Sequence, residues 1–380
     1  MKKLGLALLI VFVCLLAISP AFAGNVLEPV AIHPAEGRVV AAAFSPDSHR
    51  LAVVRSVNLP DASRRRLTLQ LMELASGKEI SYAEIPRGEA AELAFGQHFI
   101  SYSSDGQRLI FATEGSDVLS LIDANTLVTV KQFPLHAEAA SAHHGFQGVV
   151  SVSVSANSDL FGVMRHDESG EDEVFVGSFS SAQIVKKWSL GHPRAATQLG
   201  ETSLSLNEDG SLVAVSVLSE RGGFPKAFRN LRLYNATNGE MVKSIRTRGL
   251  IGQIALMPDK SVLAARIDVP GLFSLHPCIE KWKFESVELA GHYCDPGHSV
   301  TTALDASVAA NRVVSFSAHI EKDEDGHYLA ERGRVGLWNL QTGKLLATLG
   351  TFRQYTPVKI SPNGRWILAG TILLQVSTTN

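Results

Sequence analysis

Along the chain, short apolar runs alternate with polar clusters containing Asp, Asn, Ser or Gly, and one local grammar recurs. Phe44-Ser45-Pro46-Asp47 leads into Leu51-Ala52-Val53-Val54, and Tyr102-Ser103-Ser104-Asp105-Gly106 leads into Leu109-Ile110-Phe111. The arrangement returns at Ser155-Ala156-Asn157-Ser158, Leu206-Asn207-Glu208-Asp209-Gly210, Met257-Pro258-Asp259-Lys260, Ala309-Ala310-Asn311 and Ile360-Ser361-Pro362-Asn363-Gly364. With residues 47, 105, 157, 209, 259, 310 and 363 as landmarks, the spacings are 58, 52, 52, 50, 51 and 53. A fixed period of this length is the signature of a repeat architecture.

A second landmark follows within each unit: an apolar strand, a polar residue and a tight turn. Leu71-Met72-Glu73-Leu74-Ala75-Ser76-Gly77-Lys78 aligns with Leu337-Trp338-Asn339-Leu340-Gln341-Thr342-Gly343-Lys344. Leu233 to Glu240 and Leu121 to Thr126 share the frame, and Phe179-Ser180-Ser181 is a weaker copy. Gly or Asn at the turn permits the positive φ a hairpin needs. Each unit therefore predicts four strands, a to d, with the first landmark as the a–b turn and the second as the c–d turn. Sheets of this kind bury one another by radial stacking. The prediction is all-β: a seven-bladed β-propeller of four-stranded blades. The last unit ends at strand c, with Ile372 to Val376, and Val26 to Ile32 is an orphan strand before the first unit. Pairing that strand into the last blade would close the ring.

These landmarks resemble the WD-repeat superfamily, and more particularly its bacterial exported relatives, the TolB-like and amine dehydrogenase heavy-chain-like propellers. Ser45-Pro46-Asp47 and Ser361-Pro362-Asn363-Gly364 are the best turns, and Trp338-Asn339 stands where the family often has Trp-Asp. Gly191-His192, Gly291-His292 and Gly297-His298 look like its Gly-His pair, although most blades lack one. The resemblance spans nearly the whole chain after residue 23 and implies fold far more than function, since propellers host scaffolds, receptors and enzymes alike.

The amino terminus changes the compartment. Lys2 and Lys3 precede an apolar run from Leu4 to Ile18, and Ala21-Phe22-Ala23 has the small-x-small pattern of a signal peptidase site. A signal peptide over residues 1–23, cleaved after Ala23, leaves one propeller domain over 24–380 in the periplasm or outside the cell. The alternative is an uncleaved anchor, but the run is shorter than the ~20 residues a spanning helix needs. Cys14 lies inside the run, badly placed for lipoprotein acylation. The processed chain keeps two cysteines, Cys278 and Cys294, whose midpoint falls where Glu285-Ser286 would turn a hairpin. Their pairing across its open end would add about 3 kcal/mol in the chain-entropy model; two free buried thiols are the alternative.

Composition excludes classes rather than selecting one. The chain has 380 residues, 45% hydrophobic and 19% charged, enough to bury a large core. Its 35 basic and 37 acidic residues give a net charge of -2, and loss of Lys2 and Lys3 makes that -4. Neither supplies the basic field that holds proteins on nucleic acid. No G-x-S-x-G, H-E-x-x-H, C-x-x-C-H, P-loop or strand-linked G-x-G-x-x-G occurs, and no cofactor is expected.

Function would sit on one face. The a–b and c–d turns are short, whereas the b–c connections from Ser56 to Arg66, Arg165 to Glu173, Ser219 to Asn230, Asp268 to Pro277 and Ile320 to Gly333 look long. All b–c and d–a connections of a propeller emerge on the same side, and loops on a rigid scaffold commonly carry recognition. Charge there is divided by blade: Arg64, Arg65 and Arg66, then Arg221, Lys226 and Arg229, are basic; Asp167 and Glu168, then Asp323 and Asp325, are acidic. Such a patchwork can orient a protein partner; the alternative is solvated tips with no partner. The acidic runs lack the spacing of a calcium loop. His136, His143, His144, His192, His292 and His298 are placed in connections after strand d, where imidazoles could meet a metal, although no diagnostic spacing ties them to a carboxylate or cysteine. The leading expectation is an exported, monomeric, non-enzymatic protein-binding scaffold. The rival is a propeller enzyme or enzyme subunit, amine dehydrogenase-like or lactonase-like, with its site at the channel mouth.

Overall fold

In the computed structural model, which describes residues 25–30, 37–58, 65–85, 97–135, 148–167, 171–190, 203–218, 228–248, 250–267, 278–294, 300–322, 328–352 and 357–378, every regular element is a β-strand. β1 (Asn25–Val30) precedes the first blade, which comprises β2 (Arg38–Phe44), β3 (Arg50–Asn58), β4 (Arg65–Glu73) and β5 (Glu79–Glu84). The second holds β6 (His98–Tyr102), β7 (Arg108–Thr113), β8 (Val118–Asp123) and β9 (Thr129–Pro134), and the third β10 (Gly148–Val154), β11 (Leu160–His166), β12 (Asp172–Ser178) and β13 (Gln183–Ser189). The fourth contains β14 (Ser203–Leu206), β15 (Leu212–Leu218), β16 (Phe228–Asn235) and β17 (Met241–Arg248), and the fifth β18 (Leu250–Leu256), β19 (Ser261–Ile267), β20 (Cys278–Lys283) and β21 (Glu288–Cys294). The sixth holds β22 (Val300–Ser307), β23 (Arg312–Lys322), β24 (Tyr328–Asn339) and β25 (Leu345–Phe352); β26 (Val358–Ile360), β27 (Trp366–Ala369) and β28 (Ile372–Thr378) begin the seventh. Each blade is an antiparallel meander, and one bridge, Ile267 to Val300, joins the fifth sheet to the sixth.

β1 completes the seventh blade as its outer strand, pairing with β28 from Asn25↔Thr378 to Val30↔Leu373. The ring is thus closed by the amino-terminal strand, as expected, and β1 begins at the end of the blade where a c–d turn would otherwise lie. Packing seals the same seam: Leu368 and Leu373 of the last blade cluster with Leu51 and Val53 of the first.

The recurring turns show why the residues repeat. The Ser45 hydroxyl accepts the amide of Arg50 at 2.9 Å, Ser103 accepts that of Arg108 at 2.9 Å, and Ser361 accepts that of Trp366 at 2.9 Å. Asn207 does the same through its side-chain oxygen for Leu212 at 2.9 Å. The Asp or Asn two residues on caps the turn: Asp105 accepts from Gln107 at 2.9 Å and Asn363 from Arg365 at 3.0 Å. Side-chain acceptors of this kind satisfy turn amides that strand pairing leaves over.

The core lies between blades. Phe161 packs against Phe133 of the preceding blade at 5.8 Å between ring centroids and against Phe179 at 5.1 Å. A Cβ on Gly177, opposite Phe161 in the ladder, would stand 2.2 Å from that ring, so the aromatic lies flat only because position 177 has no side chain.

Candidate binding face

Strand direction sends the b–c and d–a connections to one face and the short a–b and c–d turns to the other. Several expected loops prove shorter than their sequences suggest. Arg65 and Arg66 lie in β4, opposite Asn58 and Val57, because the β3–β4 ladder continues past its apolar run without a register shift. Arg229 likewise belongs to β16, opposite Leu218. In the sixth blade most of 320–333 is a two-stranded ribbon that runs to Lys322↔Tyr328. The third-blade connection is reduced to residues 167–171, where the Asp167 amide donates to the Glu171 carbonyl at 2.9 Å and the Glu171 amide donates back to the Asp167 carboxylate at 2.8 Å.

His292 is also displaced from the expected connection. It is an exposed residue of β21, opposite Glu280, and period-two alternation turns Tyr293 into the core instead. His136, His143, His144, His192 and His298, with Arg64, Glu168, Arg221, Lys226, Asp323 and Asp325, lie outside the described residues. Among the described residues no group of three His, Cys, Asp or Glu side chains is placed to hold a metal ion. Cys278 and Cys294 face each other at the end of the β20–β21 ladder and are joined as a disulfide, with Cα atoms 4.1 Å apart.

Beneath this face runs a layer of buried charge that ends the apolar part of strand b in alternate blades. Arg55, Arg165 and Arg266 follow Leu51-Ala52-Val53-Val54, Phe161-Gly162-Val163-Met164 and Val262-Leu263-Ala264-Ala265, and all three are buried. A buried guanidinium must be paired, because an uncompensated charge in low dielectric is costly. Arg55 donates to the Gln70 side chain at 2.8 Å, and Gln70 donates to Glu79 at 3.0 Å. Burial pushes the Arg55 pKa down, and Glu79 opposes it. Arg165 ties two blades together, donating to Asp117 at 2.9 Å and to the Leu135 carbonyl at 3.3 Å, and within its own sheet to Glu173 at 3.2 Å. Lys187 holds the other oxygen of Glu173 at 2.7 Å. Arg266 pairs with Glu280, which also accepts from the Trp282 indole at 2.9 Å.

Two imidazoles lie at this level. His166 contacts the fully buried carboxylate of Asp172, its cross-strand partner. No hydroxyl or thiol is hydrogen-bonded to that ring among the described residues. His98, at the start of β6, sits 3.2 Å from the Thr113 hydroxyl and stacks on Phe111; burial lowers its pKa to about 4, leaving it neutral. The chemistry of the described face is fixed charge and hydrogen bonding. The apolar residues ahead of each arginine were legible in sequence, but a terminal Arg there reads as solvent-exposed, and the pairing that buries it comes from partners on other strands.

No family model matches the chain, and no curated protein matches it in sequence. Among solved structures it is similar to the WD40 repeats of RRP9, with a TM-score of 0.61 at 12% identity, covering 95% of this chain and 99% of that one. U3-55K matches with a TM-score of 0.61 at 12% identity over 94% of this chain and 100% of that one. A chain of the mitotic checkpoint complex gives 0.58 at 14% identity, covering 95% and 94%. At such identities the likeness is one of fold: the chain is a seven-bladed β-propeller with WD40-repeat structural neighbours.

Proposed function

We propose that this chain is an exported propeller of the TolB-like and amine dehydrogenase heavy-chain-like kind, released by cleavage after Ala23. On this reading it acts as a monomeric, non-enzymatic scaffold that binds a protein partner through its b–c and d–a face. The observation that carries the reading is the layer of charged side chains fixed in place under that face, from Arg165 with Asp117 and Glu173 to Arg266 with Glu280. Buried and paired, these charges do not reach a partner themselves; they fix the strand ends from which the b–c connections emerge, and loops held on a rigid scaffold commonly carry recognition. The neighbour from the mitotic checkpoint complex belongs to an assembly, which is consistent with a scaffold but specifies no partner for this chain.

The test is site-specific photo-crosslinking in the native envelope. A crosslinker replacing Glu168 should give a discrete adduct, one replacing the exposed Ser76 on the opposite face should not, and Arg221→Glu/Lys226→Glu with Asp323→Lys/Asp325→Lys should abolish the adduct with an unchanged melt. An adduct from Ser76 alone, or one indifferent to the four substitutions, would refute the assignment of the face.

A further inference from the structure

Blade five fastens its outer hairpin at the b–c and d–a face differently from the blades before it. In blades one to three the residue after strand d bonds back to strand c through the backbone: the Ile85 amide donates to the Leu67 carbonyl at 3.0 Å, Leu135 to Asp117 at 2.8 Å and Leu190 to Asp172 at 2.8 Å. Blade four ends on the ladder pair Phe228↔Arg248. Blade five ends on a covalent bond, Cys278 to Cys294. The architecture closes this end elsewhere without sulfur, so the bond at blade five is an addition to the fold rather than a requirement of it.

Its position lets it govern more than its own hairpin. The b–c connection of blade five runs from Ile267 to Cys278, and the d–a connection from Cys294 to Val300. Ile267 and Val300 are themselves partners, in the ladder pair that joins the fifth sheet to the sixth. The two connections therefore form one closed circuit, fastened by backbone pairing at one junction and by sulfur at the other. The next pair inward is anchored independently: Ile279 and Tyr293 are opposite one another and buried, and the Tyr293 hydroxyl donates to the Leu340 carbonyl of blade six at 2.7 Å. Opening the sulfur bond would release the circuit and leave the rest of the blade in place.

We propose that Cys278–Cys294 is a redox clasp on the b–c and d–a face, opened by exchange with a protein dithiol and closed by the reverse exchange with a protein disulfide. The two sulfurs are unequal, since Cys294 is exposed and Cys278 is buried. An incoming thiolate reaches Cys294, forms a mixed disulfide with it and expels Cys278 as a thiolate, which takes up a proton. The second thiol of the same partner gives up its proton, attacks its own sulfur in that mixed disulfide and expels Cys294, which is protonated in turn. The chain gains two thiols, the dithiol becomes a disulfide, and two electrons pass between them. The geometry of the two connections then depends on the state of one bond, whether or not that face binds a protein.

The experiment treats the folded chain, residues 24–380, with a small C-x-x-C dithiol protein and with a form of that reagent whose second cysteine is serine. The dithiol should reduce the bond without denaturant, so that maleimide labels two new thiols while near-ultraviolet circular dichroism is retained. The single-cysteine form should be trapped on Cys294 in peptide mass spectra. Chymotryptic cleavage after Phe273, inside the circuit, should then run at least tenfold faster than in the oxidised chain, with cleavage elsewhere unchanged. Cys278→Ser/Cys294→Ser holds the open state without reductant, and should show the same fast cleavage and a cooperative melt. Reduction only in denaturant, or a double variant that fails to fold, would make the bond a structural staple and overturn the proposal. Trapping on Cys278, or equal cleavage of the oxidised and open forms, would overturn it as well.

Discussion

Two arcs of the ring hold together by different means. From the third blade to the seventh, each inner strand is stapled to the next by a side-chain acceptor. Ser151 and Ser153 accept the amides of Leu204 and Leu206, both at 3.0 Å, and Ser203 and Ser205 accept those of Ile254 and Leu256 at 3.2 and 3.0 Å. Gln253 then accepts from Leu304 at 3.0 Å, and Asp305 from Ile360 at 2.9 Å. The innermost strand of a blade has one unpaired edge, and these residues satisfy amides that strand pairing cannot reach. In the first blade the corresponding positions are Ala41 and Ala43, and in the seventh Pro357 and Lys359, which offer no acceptor. These junctions lack such an inner-strand staple: Ala41, Ala43, Ile100 and Tyr102 pack between blades one and two, and between two and three the Phe133, Phe161 and Phe179 cluster lies beside the Arg165–Asp117 pair and the bond from the Val149 amide to the Ser116 carbonyl. One fold therefore tolerates polar and apolar solutions to the same junction, provided each is complete.

The sharpest way to break the comparison is to remove the packing at a junction that has no side-chain acceptor on its inner strand. Phe161→Ala should cost roughly 3–5 kcal/mol in chemical denaturation, because the cavity opens beside Phe133 and Phe179 and Gly177 cannot fill it. A loss under 1 kcal/mol would mean that the aromatic cluster does not carry its junction. Next comes the stapled arc. Ser203→Ala should cost about 1–3 kcal/mol by leaving the buried amide of Ile254 without its acceptor. The converse substitution, Ala43→Ser, offers an acceptor to the Tyr102 amide of the next blade by analogy with Ser153 and Leu206. It should gain about 0.5–1.5 kcal/mol if the hydroxyl reaches that amide. Equal and opposite small effects in thermal melts would support the equivalence of the two arcs, whereas a penalty at residue 43 would show that the alanine arc is packed too tightly to accept an oxygen.

Much of the architecture was legible because its cause is local. Ser45, Asp47, Asp105 and Asn363 occupy turns in which their side chains bond backbone a few residues away, and that chemistry repeats once per blade. The cysteine pair was legible for the same reason, as a hairpin places Cys278 opposite Cys294. The staples were not. Ser151-Val152-Ser153 and Ser203-Leu204-Ser205 read as the solvated face of an alternating strand, and only a neighbouring blade about fifty residues away reveals that the hydroxyls point at amides. Strand ends were hidden likewise: polar Arg65, Arg66, Arg229 and the ribbon up to Lys322 look like loops, since backbone pairing is indifferent to the side chains that sequence displays.

The smallest expected effect, and the one that separates turns from staples, is acid. Asp123 and Asp209 are held below the ordinary carboxylate range: Asp123 chiefly by the Thr126 amide, and Asp209 chiefly by the Ser211 side chain and then its amide. A carboxylate whose folded pKa is depressed contributes stability that is present above its unfolded value, near 3.9, and is lost as pH falls through the folded value. Serine hydroxyls do not titrate in this range, so the serine staples of the third and fourth blades should survive while the turns weaken. Thermal melts should therefore stay flat from neutral pH down to about 5 and fall below about 4. Asp209→Asn should blunt part of that decline because its amide oxygen still accepts but no longer ionises, and Ser203→Ala should leave the shape of the pH profile unchanged while lowering it throughout. A profile whose acid limb moved with Ser203→Ala and not with Asp209→Asn would reverse the assignment of acid sensitivity to the turns.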